Sequence, residues 1–534
     1  MEATRPSRRR LLAAAVAGIG TGIGTALSTT AAQADKDAPP QIPPVDIAAR
    51  IQAMITDVEA QIADGMKAFD VPGLAIGIVH QDSLVYARGF GVRSRKTNAP
   101  VGTGTVFQIG STTKAFLAAT LAMMVGRGHF KWDDRVVDLY PDFALSDPWV
   151  TREFRVFDLI AQRSGLPPYA NDGLSPLGFD EAALIRSLRQ VEPVSSFRST
   201  FAYTNITHLL AGRIVARVAG AKDWNEVLQK ELLTPLGMRN SSVTAAVMTV
   251  SPDHAEGYVW APSGSFEVPF TQIFPYDYAG AGDINSTVED MARWLRLQIA
   301  DGTLDGHTYV SPAGMAATRT PKVAMSQTQF YALGWVVRRS ANGTVIWHNG
   351  GTSTFGAFVG FLPDHGAGVV ILTNATNVGL PDALGAMVTD KMLANPPLDY
   401  LGIVLKQAKA QAAESARMFA PPAAPAAPPP LAPLAGIFTN PAMGRASVSV
   451  DGTRLVMALA ETGARMVIEP WNGDVFTAAQ IAEGRFQDIV ANLGPSPQGF
   501  VQYQIGEDGT LDRFKLSMAD GQAYVFERSE ANPR

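Results

Sequence analysis

The 534-residue sequence predicts an α+β protein built on one antiparallel sheet with helices packed around it, followed by a smaller all-β unit. Three observations predict this. Strand-like alternation lies at both ends of residues 46–417, with helical periodicity between, so terminal strands are expected to pair around internal helices. A Pro/Ala tract at 420–433 then marks a semi-rigid linker, assigned to 418–434. Beyond it, residues 435–534 alternate in strand fashion, with hairpin signals at Asp451-Gly452 and Asp508-Gly509.

In chain order, residues 1–34 read as an export signal. Arg8, Arg9 and Arg10 precede a weakly apolar run at 11–27, and Ala32-Gln33-Ala34 follows. Paired arginines point to the twin-arginine route and to a periplasmic or secreted protein. A membrane anchor competes, but the run is lightly apolar against the about 20 residues that a span needs. A polar, Pro-containing tether at 35–45 leads into helical periodicity at 47–69. Strands at 73–79 and 84–92 form a hairpin. Short elements follow at 130–149 and 156–160, then a Gly/Pro loop at 163–169. A helix after Asn205 is stopped by Gly220, and Ser286 with Glu289 suggests a capping box. Strands are expected at 331–338, 344–348, 355–361 and 368–373, and a helix at 400–417.

Composition excludes several function classes. With 46% hydrophobic and 17% charged residues the chain is globular, and a net charge of -5 with no internal basic block argues against nucleic acid. The absence of cysteine removes disulfides, thiol catalysis and thiolate metal sites. Seven scattered histidines give no metal-binding pair, so neither metal nor cofactor is expected. The expected partner is a small-molecule or peptide substrate, and no segment after the N-terminus is long and apolar enough to span a bilayer. Oligomeric state is not legible.

The chemistry centres on residues 107–125, where Lys114 is the only ionisable side chain between Ser111 and Gly126 in an otherwise apolar helix. Ser111 lies one turn earlier on the same face. Burial and the helix N-terminus both lower an amine's pKa, which suits a base beside a serine nucleophile. The plain alternative is a helix cap with a snorkelling lysine. Two later motifs favour the catalytic reading. Tyr203-Thr204-Asn205 offers a proton shuttle and an amide, and Trp347-His348-Asn349-Gly350-Gly351 is a strand whose glycines admit a substrate against the backbone. A second Tyr-x-Asn at Tyr169 to Asn171 competes with the first, but no helix follows it. Asn205 also has the alternative role of helix cap.

Together these motifs resemble the serine β-lactamase and penicillin-binding protein family, in particular its class C-like branch of carboxypeptidases, D-aminopeptidases and esterases. Residues 331–335 and 279–282 add to the likeness, which spans about residues 74–374. The resemblance implies a helical subdomain beside the sheet and a C-terminal β-barrel. It implies Ser111 as nucleophile, Lys114 and Tyr203 as the proton-transfer pair, and Asn205, His348, Asn349 and Gly350 as substrate ligands. The oxyanion hole falls on the backbone N–H groups of Ser111 and Gly351. His348 stands where the family has a lysine, so D-aminoacyl amides, peptides or small esters are expected ahead of β-lactams and D-alanyl-D-alanine peptides. A sensor that acylates without turnover is the alternative of another class. Because all three motifs precede the linker, the β unit is not expected to supply chemistry. An α/β-hydrolase lacks its Gly-x-Ser-x-Gly elbow here, and a P-loop lacks its Gly-Lys-Ser/Thr signature.

Overall fold

The computed structural model describes residues 46–494, 496–505 and 511–529. The expected export signal, the tether and the Asp508-Gly509 turn lie outside the described residues.

Ile47–Phe69 is helical because Ile47, Ile51, Met54, Val58, Ile62 and Phe69 recur at three- and four-residue spacing and bury one face. Asp46 caps it by accepting the Ala49 N–H at 2.9 Å. The chain then makes the hairpin Gly73–His80 and Ser83–Gly91. Gly73–His80 is buried along almost its whole length, as an interior strand must be, and its other edge pairs with Ala367–Thr373, placing Gly77 opposite Val370. The terminal strands therefore meet inside one sheet. Its eight antiparallel strands run in the order Ser83–Gly91, Gly73–His80, Ala367–Thr373, Gly356–Leu362, Gly343–Gly351, Val336–Ser340, Gln329–Tyr331 and Val323–Ala324.

Alternation along these strands feeds two cores. Leu74, Ile76, Ile78, Phe358, Val369 and Ile371 pack under Ile47–Phe69, Leu380–Leu393 and Tyr400–Phe419. Ala75, Val79, Val359, Phe361, Val370 and Leu372 face the opposite core, where Val288–Ile299 crosses the sheet and Thr113–Gly126 lies behind it. Phe116 and Trp294 stack between those two helices with ring centres 3.8 Å apart. A subdomain of short helices around Ile206–Ala219 extends this second core.

The C-terminal unit is a closed eight-stranded antiparallel barrel from Gly436–Asn440 to Ala523–Arg528, shut by pairing of its first and last strands. Closure removes sheet edges, and Phe438, Ala446, Leu455, Met457, Ile468, Phe476, Phe514 and Phe526 fill the interior. The linker lies along it, with Gly473 N–H donating to the Ala426 carbonyl at 3.0 Å.

Two local expectations are corrected, and one helix is added. The strand expected at 331–338 is a hairpin, Gln329–Tyr331 and Val336–Ser340, because Gly334 turns at φ +73 directly over the Lys114 carbonyl, where a Cβ would sit 2.5 Å from that oxygen. Thr287, not Ser286, caps Val288–Ile299, accepting from the Asp290 N–H at 3.1 Å. Glu289 instead accepts the Thr103 hydroxyl at 2.6 Å, so there is no capping box, and Ser286 pairs with Phe107 in a short strand. The helix Leu380–Leu393 covers the sheet without having been read from its pattern, since it is apolar on most sides.

Phe116 joins the helix that follows Ser111 to the sheet-crossing helix, so Phe116→Ala is expected to cost about 3–5 kcal/mol. Urea titration measures this, and a loss below about 1 kcal/mol would contradict the packing described.

Candidate active site

The serine comes first. Ile109 leaves its short strand, Gly110 turns at φ +50, and Gly110–Thr112 forms a single 3₁₀ turn that hands over to Thr113–Gly126. Ser111 is half-buried on that turn, while every residue from Thr113 to Met124 is buried. Lys114 is 0% exposed, so it does not snorkel. Its Nζ donates to Asn205 Oδ1 at 2.7 Å, to the Ala281 carbonyl at 2.8 Å and to Ser111 Oγ at 3.0 Å. Burial pushes its pKa down to about 7, against the opposing pull of Asp172 and Asp283.

Two of those three partners matter in a particular way. A carbonyl and the Oδ1 of an amide can only accept, so a neutral Lys114 amine satisfies them with its two N–H bonds and turns its lone pair toward Ser111. That is the geometry of a base.

Residues 201–205 bring in the second motif. Asn205 occupies the N-cap position of Ile206–Ala219 but makes no side-chain cap bond. Its amide reaches across the cleft, accepting from Lys114 and donating Nδ2–H to Asp172 Oδ2 at 2.5 Å. The alternative role as a cap is therefore not what its side chain does. The Tyr203 phenol faces Ser111, and Lys114 Nζ lies 4.8 Å from its ring centre. Burial raises the phenol well above its ordinary pKa, so at neutral pH Tyr203 is protonated and can pass a proton but not act as a phenolate.

The third motif is the end of Gly343–Gly351. A Cβ at Gly350 would stand 1.9 Å from the Ile109 carbonyl oxygen, and one at Gly110 would stand 2.7 Å from Gly351 N. The glycines let two backbones touch, which sets Gly351 beside Ser111. His348 shares the site face. It is buried beside Tyr203, with ring centres 6.3 Å apart, and its pKa is pushed down to about 3, first by burial and then by Lys114. Its Nδ1 lies 2.6 Å from the Asn349 carbonyl, which can only accept, so Nδ1 carries the proton and Nε2 accepts from the Tyr331 hydroxyl at 3.0 Å. Asn349 points the other way, as strand alternation requires. Its side chain donates to Asp382 Oδ1 at 2.6 Å on Leu380–Leu393, so it does not reach the cleft as a substrate ligand would.

Sequence reasoning missed Asp172. This half-buried carboxylate fixes the flip of the Asn205 amide, and burial raises its pKa although Asn205 and Lys114 pull the other way. It follows directly on the rejected motif Tyr169-Ala170-Asn171, whose loop packs against the accepted one: Tyr169 N–H donates to the Tyr203 carbonyl at 2.6 Å. A carboxylate beside a second Tyr-x-Asn was the available signal. Tyr331 and Ala281, each within a quoted family-like stretch, also touch the site.

A family model described as Beta-lactamase matches residues 58–394, and one described as Domain of unknown function (DUF3471) matches residues 420–528. An unguisins hydrolase of Aspergillus violaceofuscus is 26% identical over 493 residues, 83% of this chain and 86% of its own. Penicillin-binding protein 4 of Amycolatopsis lactamdurans is 27% identical over 325 residues, 57% of this chain and 81% of its own. The solved structure of an octameric penicillin-binding protein homologue from Pyrococcus abyssi matches with a TM-score of 0.58 at 21% identity, covering 89% of this chain and all of that one, a likeness of fold.

A base is active when deprotonated, so kcat/KM with an uncharged ester should rise through a single ionisation near pH 7, the value to which burial pushes Lys114. A pH–rate profile flat from pH 5 to about 9 would remove Lys114 from that role.

Proposed function

The chain belongs to the beta-lactamase family, and on that premise we propose that it is an exported enzyme that cleaves an amide or ester through an acyl-enzyme on Ser111. At family level it is a serine hydrolase of the β-lactamase and penicillin-binding protein type. The observation that carries the finer reading is the buried Lys114 amine, held by two obligate acceptors and 3.0 Å from Ser111 Oγ, so that its neutral form has a lone pair left for that hydroxyl.

The chemistry follows from those positions. Ser111 Oγ forms a bond to the carbonyl carbon while its proton moves to Lys114 Nζ. The oxyanion accepts from the backbone N–H groups of Ser111 and Gly351, which need no reorganisation because glycines hold the two segments in contact. As the bond to the leaving group breaks, that group takes the proton back through the Tyr203 hydroxyl. Water then repeats the sequence on the acyl-enzyme and frees Ser111.

The substrate class rests on His348. A neutral imidazole with both nitrogens engaged offers no charge to a carboxylate, which favours D-aminoacyl amides, peptides or short esters over β-lactams and C-terminal D-alanyl peptides. One relative is named as a hydrolase of unguisins and another as a protein that binds penicillin, and both lie within the range of substrates proposed or set aside here. Export rests on the arginine-led N-terminus, and among the described residues no helix is long and apolar enough to cross a membrane.

Ser111→Ala is expected to abolish turnover and labelling by a fluorophosphonate while leaving the fold intact, and Tyr203→Phe to slow turnover by roughly 10²- to 10⁴-fold. Turnover near wild type in Ser111→Ala would end the assignment, and a single stoichiometric burst in the wild type would make the protein a sensor. Across D-aminoacyl anilides, short-chain esters and a chromogenic cephalosporin, His348→Lys should raise the relative rate on the carboxylate-bearing compound. A cephalosporin hydrolysed as fast as the esters by the wild type would overturn the neutral-pocket reading.

A further inference from the structure

The barrel does not merely follow the hydrolase domain. It sits on the loop at 171–178, and the contacts fall on both sides of Asp172. Tyr524, 5% exposed, donates its hydroxyl to Asn171 Oδ1 at 3.0 Å. Asp520, buried in the preceding barrel turn, packs against Gly173, where a Cβ would stand 2.7 Å from its Oδ2, an oxygen with no hydrogen-bond partner among the described residues. Further along, Gln480 Nε2 donates to the Pro176 carbonyl at 3.0 Å and Arg485 to the Gly178 carbonyl at 3.3 Å. The hydrolase domain holds the same loop from the other side, through Asn171 to Ser187 Oγ at 2.8 Å and Tyr278 to the Asp172 carbonyl at 3.1 Å.

We propose that the barrel is a working part of the active site: Tyr524 and Asp520 fix Asn171 and Gly173, and thereby the Asp172 carboxylate that orients Asn205 against Lys114. Both are positioning residues, since neither touches the reacting atoms. The inference rests on reading Ser111 and Lys114 as nucleophile and base.

The expected signature is a change in pH dependence as well as rate. Lys114 is faced by the carboxylates of Asp172 and Asp283, by the Tyr203 phenol, and by His208 and His348, both held neutral by burial. Asp172 is faced in turn by Lys114, Asp520, Tyr169, Tyr203, Tyr278 and Tyr524. The Asp172 anion favours the charged form of Lys114. If the loop relaxes and the carboxylate withdraws, Lys114 loses its proton more easily and the acid limb of kcat/KM moves to lower pH. Loss of stability alone would lower the rate without moving the limb.

The full-length protein carrying Tyr524→Phe or Asp520→Asn is assayed with a short-chain ester. A kcat/KM lower by about tenfold, with the acid limb displaced downward, is expected for Tyr524→Phe, and a fall in rate for Asp520→Asn. On an Asp172→Asn background, Tyr524→Phe should add almost nothing, because both act through one carboxylate. Tyr503→Phe removes a buried barrel hydroxyl that has no hydrogen-bond partner among the described residues and is expected to match the wild type. Wild-type rate and limb in both Tyr524→Phe and Asp520→Asn, or full additivity with Asp172→Asn, would overturn the proposal. Should Tyr524→Phe not fold, Asp520→Asn decides by its rate and by its additivity with Asp172→Asn. If fluorophosphonate fails to label Ser111 in the wild type, the acyl-enzyme reading itself has failed. The brace is then read by hydrogen exchange of the 171–178 amides, faster in Tyr524→Phe if it exists and unchanged if it does not.

Discussion

An amine taken out of water is the constraint on which the site depends. Desolvation penalises the ammonium, and the start of Thr113–Gly126 adds the positive end of a helix dipole, so both effects favour the neutral form of Lys114. Two carboxylates oppose them, yet burial raises the proton affinity of Asp172 and Asp283 as well, which weakens the pull that each can exert. Lys114 and Asp172 form a coupled pair: charged on both or neutral on both, they carry the same net charge, and a dry cleft lowers the cost of the neutral arrangement. Asn205 stands between them with its amide flip fixed from both ends. That balance suits the role of proton acceptor proposed for Lys114.

The second constraint is backbone against backbone. Gly350 and Gly110 let the end of Gly343–Gly351 press on the turn that carries Ser111, at separations no side chain would permit. That strand is interior to the sheet, held by neighbours on both edges, and its far face is fastened by Asp382, which accepts from both Asn349 and Asn377. Asn377 also donates to the Gly350 carbonyl at 2.9 Å. The two N–H groups assigned to the oxyanion hole therefore belong to two rigid elements, and the polar network behind the strand serves the site without facing it.

Much of this was legible in the sequence where local chemistry decides it. A lone lysine in an apolar helix, one turn from a serine, announced its own burial, and strands at both ends of residues 46–417 implied a sheet closed by its termini. The Pro/Ala tract separated the barrel, whose alternation and Asp451-Gly452 turn survive intact. What failed to show were the choices made by tertiary neighbours. Thr287 displaced Ser286 as cap because Ser286 was already spent in a strand pair with Phe107. Gly334 broke a strand because the Lys114 backbone lies beneath it. Asn349 belonged to the quoted motif, but a period of two sends it away from its own neighbours His348 and Gly350, so a motif of consecutive residues overstated what one strand face can offer.

Asp172 and its supports escaped for a different reason. The hydrogen bond between Tyr524 and Asn171 joins positions 353 residues apart, and neither residue belongs to a motif. Reasoning from motif order placed the barrel outside the chemistry because every motif precedes the linker. Order in sequence, however, says which residues react and not which residues hold them. A Gly- and Pro-containing loop is poorly ordered by its own backbone, and a carboxylate carried on it can orient Asn205 only if the loop is fixed from outside. Ser187 and Tyr278 hold it from one side, and from the other Tyr524 bonds it and Asp520 packs against Gly173. The Asp172 carboxylate therefore stands at the seam of two domains, so the packing of the barrel reaches the Lys114 amine through one loop residue and one amide.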